Sequence, residues 1–336
     1  MSSVFPHRFF RLESQNFTSP DRTPWGGEEI SHLKKIPRQK IGESWEISTH
    51  PSLPSFMMWN DQKVLLSKLI AEFPEKILGK KLAAATKGKF PLLVKFLNAA
   101  PNHPLSFQVH PSDITARPGE RGKEEAWYIM DAKPGAGIYL GFKEGLSRQE
   151  VAAALKNGKG GQAVHFVEVH PGETYRIKPH TPHAIGGGIL LAEIQQSSAT
   201  TFRYFDWNRE PKRELHLERA LEETNWNESY GKDFVSRLRR QAHFPPQPYF
   251  EMLLDADPFS IESLWLPQEG MSFEVSTEKT CVAVVALQGQ VLLENNEETL
   301  TLDAGYSLLA PACIDSFQVT AFTAAQILLV RPKTCL

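Results

Sequence analysis

Leu105-Ser106-Phe107-Gln108-Val109-His110-Pro111 alternates polar and apolar side chains along one short run. An extended strand sends successive side chains to opposite faces, so Ser106, Gln108 and His110 share one side and Phe107 and Val109 the other. Three polar groups turned inward are costly unless that side lines a site. The run reads as a strand with a packing face and a working face. Outward from it, short runs rich in Val, Ile, Phe and Tyr recur at 92–97, 126–130, 165–169, 173–177, 190–194 and 201–205. Pro-Gly or Gly-Gly pairs punctuate several of them, the pattern of a sandwich or barrel. Helical spacing of Leu65, Leu66, Leu69, Ile70 and Phe73 predicts a helix over 61–78, broken or kinked at Pro74. Ser147-Arg148-Gln149-Glu150 is a capping box opening a helix that stops near Gly158, and 215–223 and 232–241 read as two more.

The run His243-Phe244-Pro245-Pro246-Gln247-Pro248 marks a boundary, after which strands return at 260–265, 271–275, 281–287, 291–293, 300–302 and 325–330. Gly172 precedes His183 by eleven residues through Thr174-Tyr175-Arg176-Ile177-Lys178-Pro179. Gly305 precedes Ser316 by the same interval through Tyr306-Ser307-Leu308-Leu309-Ala310-Pro311. The economical expectation is a mainly β chain of two echoing barrels, with helices inserted at about 60–90 and 215–241, the second barrel lacking the histidine. The expected domains are 1–244 and 248–336.

A hydrophobic content of 41% and a charged content of 23% suit a globular protein with a substantial core. The net charge of −2 offers no basic field for nucleic acid or an anionic membrane. No apolar run is long enough to span a bilayer, and the start at Met1-Ser2-Ser3-Val4-Phe5-Pro6-His7-Arg8 lacks the features of a signal peptide, so a cytoplasmic location is expected. Cys281, Cys313 and Cys335 lack metal-binding spacing and read as reduced thiols. Any metal must then be held by nitrogen and oxygen. Gln108, His110, Glu125 and His183 form such a set, suited to Zn²⁺, Mn²⁺, Fe²⁺ or Co²⁺. Lys123 shares the strand face of Glu125, whereas Glu124 shares the other with Ala126. Each of the four taken singly is more often a satisfied structural residue; the joint pattern is what points to a metal.

Beyond these patterns, six motifs in order resemble the type I mannose-6-phosphate isomerases. They are Trp25-Gly26-Gly27; Ile41-Gly42-Glu43-Ser44-Trp45-Glu46-Ile47-Ser48; Pro91–Leu97 leading into Leu105–Pro111; Gly122–Tyr128; the His183 segment; and Gln195-Gln196-Ser197-Ser198 with Thr201-Phe202-Arg203-Tyr204-Phe205-Asp206. The resemblance is strong over roughly residues 20 to 210. It implies cupin (jelly-roll) barrels and one divalent metal, usually zinc, on residues matching Gln108, His110, Glu125 and His183. It also implies exchange between mannose 6-phosphate and fructose 6-phosphate, a small sugar phosphate being the only partner called for and the oligomeric state left open. Arg203 matches the family's active-site arginine, Lys123 its lysine beside the metal glutamate, and Ser106 a serine near the substrate phosphate.

Two departures stand out. The family usually reads Pro-x-Gly-Thr-x-His up to the second histidine, where this chain has Lys178 at the proline and His180 at the glycine. The approach from Arg8 to Pro24 is also unlike the usual one. In such a reaction a metal lowers the cost of carbanion formation beside a carbonyl, and a guanidinium such as that of Arg203 stabilises the enediolate. A metal-bound water, Lys123 and His180 all stand as candidates for the general base. The competing expectations are an isomerase of another sugar phosphate and a non-catalytic sugar-binding cupin.

Overall fold

Four antiparallel sheets stacked in sequence organise the chain in a computed structural model, which describes residues 5–210 and 212–334. The Met1–Val4 start and Cys335 lie outside them. A six-stranded sheet runs in the order Arg239–Gln241, Glu173–Ile177, Glu125–Ala132, Ile189–Gln196, Leu92–Ala99 and Glu43–Ile47. It faces a five-stranded sheet of Phe202–Phe205, Phe107–Val109, His183–Ile185, Gly137–Phe142 and Val164–Glu168. Between them lies a core that includes Leu97, Trp127, Ile129, Ile138, Leu140 and Leu191.

The second pair has the same plan. A six-stranded sheet in the order Phe10–Arg11, Ser307–Ala310, Val282–Gln288, Ala325–Pro332, Phe259–Leu266 and Tyr249–Asp255 faces a four-stranded one. Val284, Leu293, Phe317 and Leu329 fill the space between. The two six-stranded sheets pack back to back through one continuous core, with Val94, Phe96 and Tyr128 from one side and Ile261, Ala283 and Val330 from the other. Leu92–Ala99 and Ala325–Pro332 are therefore buried on both faces, which is why both read as nearly unbroken apolar runs.

The glycine echo is present in the fold. Gly172 and Gly305 both take left-handed backbone, with φ of 89° and 86°. Each opens a strand of a six-stranded sheet, and the chain then crosses to the facing sheet, at His183–Ile185 in one case and Ser316–Ala321 in the other.

Two expectations are corrected. The 61–78 helix begins only at Leu66, because Phe56–Trp59 and Gln62–Leu65 form a hairpin turned by Asn60 and Asp61 at φ 48° and 60°. A two-residue turn with both φ positive matches strand twist, and Asn and Asp tolerate it. The break at Pro74 is real, since Pro74 is the first residue of the next helix, Pro74–Leu78. The 232–241 helix stops at Leu238, and Arg239–Gln241 pairs as an edge strand with Glu173–Ile177. The strand Gly137–Phe142 was not anticipated. Nor was the placement of Phe10–Arg11, which pairs with Leu308 and Leu309 in the sheet of the C-terminal half.

Candidate metal centre and its cavity

Gln108 is the register partner of His183 on one side and of Arg203 on the other. Directly opposed residues share a sheet face, so Arg203, Gln108 and His183 form a row across three strands. His110 follows Gln108 at the two-residue period, just past the end of its strand. Glu125 comes from the facing sheet, at the first position of Glu125–Ala132. The fold thus brings four side chains together from two sheets.

His110, Glu125 and His183 are buried, and one ligand atom from each lies within 4.8 Å of the others. His110 Nε2 is 3.3 Å from Glu125 Oε1, and His183 Nε2 is 3.7 Å from Oε2. The imidazoles are oriented from behind: His110 Nδ1 contacts the Thr200 carbonyl at 2.8 Å and His183 Nδ1 the Thr181 carbonyl at 2.8 Å. A carbonyl accepts only, so each Nδ1 carries the proton and each Nε2 turns a lone pair to the centre. His110 Nε2 has no hydrogen-bond partner although it is buried. Such an orphan acceptor, converging with a second imidazole and a carboxylate, fits a divalent cation of the zinc kind.

The amide of Gln108 lies 3.5 Å from His183 Nε2, and its other end accepts from Ser106 Oγ at 3.2 Å. The Ser106 hydroxyl both donates and accepts, so it can hold the amide with either the oxygen or the nitrogen turned inward. Electrostatics keep the set in ligating form. Burial pushes the His110 imidazole down to about 3, with Lys123 adding to the effect and Glu125 opposing it; burial also lowers His183. Burial would raise the Glu125 carboxyl, but Lys123 and the two histidines hold it well below the usual carboxylate range. Lys123 Nζ is 2.6 Å from Glu125 Oε1, an ion-pair contact that does not meet hydrogen-bond geometry. Glu124 faces away and pairs with Arg176 at 2.6 Å.

Arg203 is half-buried, its Nε has no partner, and burial together with nearby Arg213 lowers its pKa. Two carboxylates, Asp206 and Glu193, are engaged by other cations. Asp206 accepts two bonds from Arg213, and Glu193 pairs with Lys95. His180 is placed elsewhere: its Nδ1 meets the Glu223 carbonyl at 2.9 Å and carboxylate at 3.0 Å. Its φ of 70° explains why the family pattern has glycine at that position.

A second buried cluster was missed from sequence. Trp45, Lys95, Glu193 and Trp127 are successive register partners across the six-stranded sheet. Lys95 Nζ lies 3.1 Å from Glu193 and 3.2 Å from Glu43, whose other oxygen accepts from Trp45 Nε1 at 2.7 Å. Burial, with Glu125 adding, raises the Glu193 carboxyl to about 7 against the pull of Lys95. Burial disfavours the Lys95 cation, but the Glu193 and Glu43 charges outweigh it and raise the ammonium pKa. The signal in the sequence was a single charged residue flanked on both sides by apolar ones in each of two strands, Lys95 in Leu92–Ala99 and Glu193 in Ile189–Gln196. Gln108, Glu125 and His183 of the first cluster line one cavity of about 200 Å³ with the second cluster, Ser106 and Arg203.

Fold and site together define a mainly β protein with a buried His-Glu-His cluster able to hold a cation between two sheets. Residues 20–146 match the family described as phosphomannose isomerase type I, catalytic domain. A mannose-6-phosphate isomerase of Streptococcus mutans is 32% identical over 311 residues, spanning 88% of this chain and 90% of the relative. The crystal structure of the mannose 6-phosphate isomerase of Bacillus subtilis superposes with a TM-score of 0.75 at 23% identity, over 96% of this chain and 98% of that one. A mannose 6-phosphate isomerase solved with zinc and yttrium shares the fold at a TM-score of 0.72 and 16% identity, over 97% of this chain and 99% of that one. The chain belongs to the type I phosphomannose isomerases.

Proposed function

We propose that this chain interconverts mannose 6-phosphate and fructose 6-phosphate, using one divalent ion, with zinc expected, on Gln108, His110, Glu125 and His183. The observation that carries the reading is the buried, unpartnered His110 Nε2 converging with His183 and Glu125, which line a cavity shared with Arg203. A bound divalent ion supplies Lewis-acid polarisation of the sugar's oxygens. Arg203 faces the same end of the cavity as Gln108 and stabilises the negative charge of the enediolate; as a guanidinium it stays cationic at working pH. Lys123 keeps Glu125 ionised and presents its ammonium at the substrate's metal-side oxygens. Ser106 steadies the Gln108 amide and lines the substrate space. Glu193, poised near neutrality in a closed polar cluster, is suited to carry the proton between adjacent carbons.

The scaffold in this reading is two cupin-like jelly-roll barrels, 1–244 catalytic and 248–336 a metal-free companion. The glycine-to-strand echo at Gly172 and Gly305 supports the repeat, and the second segment contains no histidine. The enzyme works in the cytoplasm on a small sugar phosphate and engages neither nucleic acid nor membrane. No helix among the described residues is long and apolar enough to cross a bilayer.

A coupled assay over a panel of aldose and ketose phosphates tests the proposal, before and after chelation and with Zn²⁺ added back. Activity on mannose 6-phosphate that disappears with chelator and returns with metal is expected. A preference for another sugar phosphate would move the substrate assignment, and no turnover in the metal-loaded protein would leave a binding protein.

A further inference from the structure

Two segments of the metal site meet at His180, which is not one of the ligands. It lies three residues before His183. Its amide N–H donates to the His110 carbonyl at 2.8 Å, and the carbonyl of the next residue, Thr181, is the one that orients His183 Nδ1. The pair His180-Thr181 therefore touches both metal histidines. The rest of His180 turns the other way. Its Nδ1–H is shared between the carbonyl and the carboxylate of Glu223, at 2.9 and 3.0 Å, and its own carbonyl accepts from Asn225 N–H at 3.0 Å.

That far side is itself held. Glu223 is buried at the end of the helix Leu217–Glu223; its Oε1 meets Arg219 Nη1 at 2.6 Å, and its Oε2 accepts from Thr115 Oγ1 at 2.9 Å. The helix and its flanking residues grip three successive positions of the strand that carries Arg203. The Arg219 guanidinium lies over the Phe202 ring at 4.9 Å, His216 N–H donates to the Arg203 carbonyl at 2.8 Å, and the Tyr204 and Thr224 hydroxyls meet at 2.6 Å. Ala220 is buried with Phe107, Val109 and Ala184. Those three alternate with Gln108 and His183 along their strands, so the helix backs the sheet face opposite the metal centre.

His180 also carries a strained backbone, with φ of 70°. Glycine takes that left-handed conformation freely, whereas a side chain crowds the following carbonyl. Strain of this kind persists where surrounding contacts over-determine it, and here the contacts are those of Nδ1 to Glu223. We infer that His180 is a positioning residue for the metal centre: through Glu223 it fastens the loop that steadies His110 and His183 to a helix locked on the Arg203 strand. The inference rests on the metal-dependent isomerase reading above and adds what keeps the ligands and the arginine in one register. Ligands held from behind lose less freedom when the ion binds, so cutting the fastening weakens metal retention without removing a ligand.

The test follows zinc release from the full-length, zinc-loaded protein to a chromogenic chelator. His180→Gly removes the imidazole and relieves the backbone, so the fold is kept; His180→Phe keeps a ring and removes only the donor. Both should retain the parent's circular dichroism spectrum and release zinc faster by roughly tenfold. With Co²⁺ in place of zinc, both should shift the visible absorption bands, which report ligand geometry and which a merely structural side chain would not move. His180→Asn tolerates left-handed backbone and carries an N–H donor, so it should recover part of both effects. Glu218→Gln, an exposed carboxylate on the same helix, should change neither. The inference is overturned if a folded His180→Gly or His180→Phe releases zinc within about twofold of the parent rate. It is also overturned if the cobalt bands stay where they are, if Glu218→Gln matches the His180 changes, or if the parent retains no zinc. Faster release from the His180 variants of a parent that holds zinc yet does not turn over mannose 6-phosphate would support it and refute the isomerase reading alone.

Discussion

Replacing Lys34 with methionine should destabilise this protein in a pH-dependent way. Lys34 Nζ is fully buried, 2.8 Å from Glu46 Oε1, and donates to the Gly305 carbonyl at 2.6 Å. It lies over the Tyr306 ring at 4.6 Å, and Tyr306 Oη donates back to the Lys34 carbonyl at 2.8 Å. Lys34 and Glu46 belong to the N-terminal half, and Gly305, Tyr306 and Ser307 to the other. Glu46 sits where the Glu43–Ile47 strand breaks register with its neighbour, one residue after Trp45, which faces the cavity. The pair therefore ties the C-terminal sheet to the strand whose Glu43 holds Lys95. Methionine keeps the volume of the stem but leaves Glu46 buried without its cation, which costs about 3–5 kcal/mol.

Burial already raises the Glu46 carboxyl against the pull of Lys34, and removing Lys34 should raise it further. An acid whose folded pKa lies above its unfolded value adds stability below the unfolded pKa and loses it as pH rises through the folded one. The deficit of the variant should therefore be small near about pH 5 and full near about pH 8. Urea unfolding of parent and variant at both values measures it, the shift in midpoint multiplied by a common slope giving the difference. Lys34→Met combined with Glu46→Leu should recover most of the loss by removing the stranded charge. A deficit below about 1 kcal/mol at the higher pH, or one independent of pH, would refute the reasoning.

Four shorter predictions concern the site and the stacking. His110→Ala and His183→Ala should each lose the bound metal in elemental analysis while keeping a β-type circular dichroism spectrum; full stoichiometry in both would remove the ligand assignment. Arg203→Lys should lower kcat by roughly 10²-fold with a much smaller rise in KM, whereas the reverse pattern would mark a ground-state contact. With Glu193 ionising near 7, kcat/KM should climb as pH rises through that value, and Glu193→Gln should remove this limb with a loss of roughly 10²-fold; an unchanged profile would clear Glu193 of the proton transfer. Truncation before Pro248 should precipitate the remaining chain, because Val94, Phe96 and Tyr128 on the outer face of its sheet lose their cover; a monodisperse, well-folded fragment would show that the back-to-back core is dispensable.

Features that depend on a few neighbouring residues are legible along the chain. Alternation at Ser106–His110 set a strand with a polar face, the Ser147–Glu150 capping box set a helix start, and the ligand types set the chemistry of the centre. The glycines at 172 and 305 marked left-handed turns because few other residues sit comfortably there. Local errors came where two periodicities overlap. Leu65 fits a helical stripe, yet Asn60 and Asp61 close a hairpin first and leave it at the end of a strand.

How distant segments come to share a face depends on the folded arrangement. Glu43, Lys95 and Glu193 are far apart in the chain and become one cluster because three strands align in register. His180 looked like a candidate acid–base group until the loop turned it toward Glu223. Phe10–Arg11 joins the C-terminal sheet, and residues 239–241 close the edge of the other. Strand pairing satisfies backbone groups with whichever partner lets both apolar faces be buried, and that choice depends on the whole stack of sheets rather than on any window of sequence.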